Sequence, residues 1–204
     1  MRADSLVLGV AGVFFGLILG WVIGSQQVAG SRPPAAAAPQ AQATPPPQGG
    51  SQPAVLDQGR VQALRAVAEQ NPRDAEPRVA LGNLYFDAEQ FQDAITWYEA
   101  ALAINPNDPN VSTDLGVAYY YTNQPARGVK QFEHSLSVDP KHTKTLLNMG
   151  IVKAFGLQDL EGASAAWKQV VALAPSSPEG QQAQKLLDGL AKAHPGGGGA
   201  SGGP

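Results

Sequence analysis

The chain repeats itself. Residues 75–108, "AEPRVALGNLYFDAEQFQDAITWYEAALAINPND", and residues 109–142, "PNVSTDLGVAYYYTNQPARGVKQFEHSLSVDPKH", carry matching residues 34 positions apart. Leu81 pairs with Leu115, Gly82 with Gly116, Tyr85 with Tyr119, Ala94 with Gly128, Tyr98 with Phe132 and Pro106 with Pro140. Self-similarity at such a period restricts the fold to stacked units, none of which can bury its apolar face alone. Within each unit, apolar residues recur at three- and four-residue spacing over two helix-length segments. The late proline ends the second helix. Asp108-Pro109 reads as an N-cap and first helical residue, and Gln124-Pro125 follows the same scheme. A third copy spans 143–177. Met149 and Gly150 stay in register, whereas Ala163, Trp167 and Pro175 fall one residue late, which predicts a one-residue insertion in the turn 156–159. Lys153 stands where the first two copies have tyrosine. Residues 54–74 read as an N-terminal capping helix, and residues 178–194 as a C-terminal one with Ala183, Leu186, Leu187 and Leu190 facing inward.

The layout L-G-x2-Y, then A-x3-F, then P resembles the tetratricopeptide repeat family, over residues 55–193. The resemblance implies an all-α solenoid of helical hairpins, with about three repeats plus flanking helices: 75–108, 109–142 and 143–177. It also implies a concave groove, lined by the first helix of each repeat, that holds peptide segments of partner proteins. Carrying the family's inner positions over gives Glu76, Val79, Asn83, Phe86 and Asp87 in the first repeat. The second repeat gives Asn110, Thr113, Val117, Tyr120 and Tyr121. The third gives Lys144, Leu147, Ile151, Ala154 and Phe155. Asp114 and Asn148 stand at sixth positions. Family members that grip a terminal carboxylate use lysine, asparagine and arginine at set places. Here Asn83 and Lys144 match that set, but Val79 replaces the first lysine, and Asp114 and Asn148 depart from the expected asparagine and arginine. The resemblance therefore implies an extended or helical apolar peptide rather than a carboxylate terminus. Phe86 and Phe155 read equally as core or groove; Tyr119 reads as core, and Tyr120 and Tyr121 as exposed. The first repeat carries six acidic residues and one basic one. That reads as a solvated face, with a patch for a basic partner as the alternative.

Ahead of the repeats, residues 6–24, "LVLGVAGVFFGLILGWVIG", contain no charged side chain. Nineteen helical residues span about 28 Å, close to a bilayer core. Gly12, Gly16, Gly20 and Gly24 fall on one face of such a helix, a small-residue strip against which a second copy could pack. A cleaved signal peptide is the competing reading, although its apolar region is usually shorter. Arg2 and the five-residue tail 1–5 lean towards a cytoplasmic N-terminus, which places the repeats across the inner membrane in a bacterial periplasm. Residues 25–53 form a Pro/Ala/Gln-rich linker, read as a spacer, with a ligand for a proline-reading domain as the alternative. Residues 195–204 read as a glycine-rich tail.

The chain has no cysteine, so it offers no disulfide, thiolate nucleophile or zinc-thiolate site. Residues 54–194 hold 12 basic and 16 acidic side chains, without the clustered positive charge that nucleic acid requires. His134, His142 and His194 lack ligand spacing, and His134 reads as a surface pair with Glu133. No nucleophile elbow or phosphate loop is present. These absences predict a protein that is not an enzyme and has no cofactor, metal or small-molecule substrate. The order of anchor, linker and three repeats resembles periplasmic tetratricopeptide proteins of cytochrome c maturation. That resemblance implies an assembly scaffold. A pilus, secretion or envelope scaffold, and a cytoplasm-facing co-chaperone or regulatory subunit, are the alternatives.

Overall fold

The computed structural model describes residues 54–193. Among them the secondary structure is entirely helical: α1 Gln58–Gln70, α2 Glu76–Asp87, α3 Phe91–Ile104, α4 Pro109–Tyr121, α5 Pro125–Val138, α6 Thr143–Ile151, α7 Leu160–Leu173 and α8 Pro178–Ala193. Helix α6 runs on into a wider π turn, Val152–Gly156. Three hairpins, α2–α3, α4–α5 and α6–α7, stack in order, with α1 and α8 at the ends.

Local chemistry sets the helix starts. The Asp108 carboxylate accepts from the N–H groups of Asn110 and Val111, and Pro109 follows at the first helical position. Asp57 caps α1 through Arg60 N–H, Asp159 caps α7 through Gly162 N–H, and Ser177 caps α8 through Gly180 N–H. Gln124 precedes Pro125 as expected, yet its side chain makes no cap. Its amide instead donates to Thr122 Oγ1.

Each hairpin closes on a glycine beneath an aromatic ring. A methyl group on Gly82 would strike Tyr98, one on Gly116 would strike Phe132, and one on Gly150 would strike Trp167. These rings are almost wholly buried. Trp167 also donates from its indole N–H to the Leu147 carbonyl at 3.2 Å. Leu81, Ala94, Leu115 and Phe132 form one core, and Leu146, Ala163, Trp167 and Val170 a second, on which α8 lays Ala183 and the flanks of Leu186, Leu187 and Leu190.

The third hairpin differs from the other two. The turn residues Glu89 and Asn123 have left-handed backbones, 34 positions apart, and Gln158 is their counterpart one residue late. Gln90 N–H bonds the carbonyl of Tyr85, and Gln124 that of Tyr119, five residues back in both cases. The equivalent Asp159 N–H reaches six residues back, to Lys153. The extra residue is therefore absorbed inside the helix by the wide turn at 152–156, not in the loop at 156–159. Widening the turn keeps Gly150 under Trp167 on one side and the Asp159 cap on the other.

Among the described residues no helix is long and apolar enough to cross a membrane. The expected span at 6–24 with Gly12, Gly16, Gly20 and Gly24, the linker 25–53, His194 and the tail 195–204 lie outside the described residues.

Candidate functional site: the concave groove

The first helices of the repeats, α2, α4 and α6, supply the residues that the family resemblance assigned to the groove. Asn83 lies mid-helix in α2 and accepts a hydrogen bond at Oδ1 from the Tyr98 hydroxyl, 2.8 Å away on α3. Burial pushes the Tyr98 phenol far above its ordinary range, and the charges of Asp114 and Asp87 add to the shift. Tyr98 is thus a neutral donor that holds the Asn83 side chain by its amide oxygen. Asp87 ends α2 and is exposed.

In α4 the assigned positions divide. Asn110 is exposed, with Oδ1 3.2 Å from His142 Nε2. Thr113 is fully buried: its hydroxyl donates to the Pro109 carbonyl at 2.6 Å and lies 2.5 Å from Thr145 Oγ1. Ser135 joins the same cluster and also donates to Pro109. Thr113 therefore joins the second repeat to the third and does not line the groove. Val117 and Phe86 are buried in the first core and Leu147 in the second. For Phe86, the open choice between core and groove is decided for core. Tyr120 is half-buried, whereas Tyr121 is 49% exposed and stacks on Phe91, with ring centres 4.5 Å apart and planes 13° apart. Phe86 meets both Phe91 and Tyr121 edge-on.

In α6, Lys144 Nζ lies 2.7 Å from Asp114 Oδ1, with both side chains about three-quarters covered. Burial pushes the Asp114 carboxyl up, and the neighbouring Lys144 charge opposes the shift. Asn148 donates to the Lys144 carbonyl. Ile151 is half-buried, Ala154 buried and Phe155 43% exposed.

Sequence reasoning missed two contributors. Phe91, at the start of α3, forms the stack with Tyr121. The acid–base pair of Asp114 and Lys144 joins residues 30 positions apart and changes what the lysine can do. His134 bonds Ser112 Oγ through Nδ1 at 3.0 Å, so its partner is Ser112 and not Glu133.

Away from the groove, two arginines brace the repeat tyrosines. Arg65 donates to Tyr85 Oη and lies over Trp97, while Arg127 donates to Tyr119 Oη and lies 4.1 Å from the centre of its ring. Arg65, Arg78 and Trp97 line a depression there, and Arg78 donates to the carbonyls of Ala68, Asn71 and Asp74. Among the described residues, no group of three or more acidic, histidine or cysteine side chains is arranged to hold a metal ion.

The stacked hairpins form an all-helical solenoid that resembles the tetratricopeptide type. The family profile described as "TPR repeat" matches residues 82–122, from the first repeat into the second. The first TPR domain of Spaghetti (RPAP3), solved bound to the HSP90 peptide SRMEEVD, is 24% identical, with TM-score 0.54 over 58% of this chain and 94% of that one. The first TPR domain of human RPAP3 is 25% identical, with TM-score 0.55 over 60% and 94%. MamA is 16% identical, with TM-score 0.55 over 65% and 81%. No curated protein matches the sequence. None of these matches points to a catalytic family.

Proposed function

We propose that this chain is a membrane-tethered scaffold whose groove holds internal, apolar segments of partner proteins and rejects C-terminal carboxylates. The observation that carries the reading is the Lys144–Asp114 pair. A carboxylate clamp needs an unspent cation, and here the one lysine at a clamp position already faces a carboxylate at 2.7 Å. A second anion placed there would lose the Coulomb attraction of Lys144 and gain repulsion from Asp114. The surface that remains is Tyr120, Tyr121, Ile151 and the amides of Asn83 and Asn148, which suits an apolar chain with its own backbone polar groups.

The test uses the SRMEEVD peptide as a carboxylate-bearing probe, beside its C-terminally amidated form, with the full chain in detergent. Both forms are expected to bind weakly and equally. Asp114→Asn is expected to free Lys144 and tighten only the free-acid form, by about tenfold, the scale of one charge-assisted hydrogen bond. Tight binding by the unaltered chain that amidation abolishes would overturn the reading.

The membrane part rests on residues 6–24. Their length and lack of charge support a single anchor, and four glycines in register support self-association. The order of anchor, linker and repeats supports an assembly role like that of tetratricopeptide proteins of cytochrome c maturation, with the repeats in the periplasm. Resistance to alkaline extraction tests the anchor, and reporter fusions on either side test its orientation. Gly16→Leu with Gly20→Leu is expected to weaken self-association in a bilayer assay.

A further inference from the structure

In the second hairpin an arginine, a tyrosine and a glutamate meet. The Arg127 guanidinium lies 4.1 Å from the centre of the Tyr119 ring and 3.3 Å from Glu99 Oε1. A guanidinium suits this place because it is flat and weakly hydrated, so it can lie on a ring while it donates to a carboxylate. Two of the three groups recur at the end of the groove where α2 and α4 finish. There Tyr121 stacks on Phe91, Phe86 meets both edge-on, and the Tyr120 ring centre lies 5.7 Å from that of Tyr121. Tyr121 leaves half its surface outside this packing. Burial pushes its phenol up and the charge of Glu89 adds to the shift, so this carboxylate lies near the ring.

Glu89 is exposed in the turn between α2 and α3. Among the described residues it forms no ion pair. The surrounding sequence is one-sided in charge: from Val79 to Ala126 it has six acidic residues and no lysine or arginine. Of the nearby bases, Arg60 acts on Asp87 and Arg127 is paired with Glu99. An apolar chain laid over these rings would strip water from Glu89 and give it no partner, which is unfavourable. A chain that brings a guanidinium satisfies the ring and the carboxylate together. The far side of the rings is apolar. Gly156, in the turn of the third repeat, lies close to Tyr120 and Pro125, and Leu157, next in the chain, is exposed.

We infer that the partner segment carries an arginine whose guanidinium lies on the exposed side of Tyr121 and donates to Glu89, with apolar residues beside it towards Tyr120. This inference rests on the reading of the groove as a holder of internal apolar segments and adds the charge that such a segment must bring.

A library of short random peptides, acetylated and amidated so that no terminal charge remains, tests it with the full chain in detergent. The selected peptides are expected to be rich in apolar residues and to carry arginine at least about threefold above its frequency in the library, the scale of one cation–ring contact. Citrulline, which keeps the shape of arginine and removes its charge, should weaken a selected peptide by about tenfold. Glu89→Gln fits the left-handed turn, since Gln158 holds the equivalent position. This variant should abolish the arginine preference and keep the apolar one, as should Tyr121→Leu. Glu89→Gln decides by itself should Tyr121→Leu loosen the fold. Glu179→Gln on α8 should change neither preference. Apolar peptides selected without arginine would overturn this inference and leave the reading of the groove standing, and so would an arginine preference that persists in Glu89→Gln. Selection of no peptide at all would overturn both.

Discussion

The Tyr98 hydroxyl donates to Asn83 Oδ1 across the first hairpin, so a groove residue and a core residue share one bond. Reading Asn83 from its register alone makes it a pure binding residue, removable without harm to the fold. The bond changes that expectation. Asn83→Ala leaves a buried phenol without its acceptor and is expected to cost about 1–3 kcal/mol of stability. Tyr98→Phe with Asn83→Ala removes both partners and should cost less than the two single changes added together. Thermal or urea unfolding of the four proteins checks this; additive costs would show that the bond contributes nothing.

Two glycines should respond to alanine with opposite signs. At Gly116 an added methyl meets the Phe132 ring on one side and the Gly128 carbonyl at 3.0 Å on another, so the α4–α5 hairpin must open. Overpacking of this kind typically costs about 1–3 kcal/mol or more. At Gly189, mid-α8, a methyl meets nothing within 4 Å. There Gly→Ala is expected to stabilise by about 0.5–1 kcal/mol, because alanine loses less backbone freedom in a helix. Chemical denaturation of both variants decides between them, and a stabilised Gly116→Ala would contradict the close hairpin contact.

The C-terminal helix should behave as a lid on the second core. Removing residues after Ser177 uncovers the Trp167 and Val170 region on which Ala183, Leu186, Leu187 and Leu190 pack. Those four side chains together are worth at least about 3 kcal/mol, given that full burial of one leucine is worth about 1.5–3. The truncated protein is expected to melt lower and to bind a hydrophobic dye. An unchanged melting curve would mean that α8 covers nothing of consequence.

His142 gives the stability a pH dependence. Burial lowers its pKa below the ordinary 6.5, with Lys144 acting in the same direction and Asp139, Asp114 and Asp108 against it. Its Nδ1 lies 2.6 Å from Thr145 Oγ1 in the cluster that joins the second repeat to the third. The folded state therefore favours the neutral ring, and the unfolded chain takes up the proton first as pH falls. This contribution is present above pH 6.5 and is lost as pH drops below it. Asp114 works in the opposite sense, since a carboxyl raised by burial is relieved by protonation. Comparing His142→Gln with the parent isolates the histidine: the variant should lose less stability between about pH 7.5 and about pH 5.5. Equal losses in the two proteins would remove His142 as the cause.

The hairpins are legible in the chain because their signals are local or strictly periodic. Glycine and aromatic recur at a fixed interval from Gly82 to Tyr98 and from Gly116 to Phe132, and Asp108-Pro109 announces its helix by chemistry alone. The groove is less legible. Thr113, Val117 and Leu147 occupy inner positions by register, but their exposure depends on how closely neighbouring repeats approach. That approach is set by contacts between helices, where Ser135 of α5 and Thr145 of α6 meet Thr113 and the Pro109 carbonyl of α4. The Asp114–Lys144 pair is hidden for the same reason. The extra residue of the third repeat shows in the spacing, yet spacing alone cannot separate a longer loop from a wider helical turn.

That wide turn at Val152–Gly156 also bears on how such an array can grow. The first two repeats share one length and one turn geometry, so a copied 109–142 unit meets its neighbours through the same glycine–aromatic contact and the same left-handed turn residue. A copy of the third unit would carry its wide turn with it, and the extra residue would again be taken up inside its own first helix. The wide turn thus lets a unit of different length join the array while the glycine–aromatic contact before it and the helix cap after it stay in place.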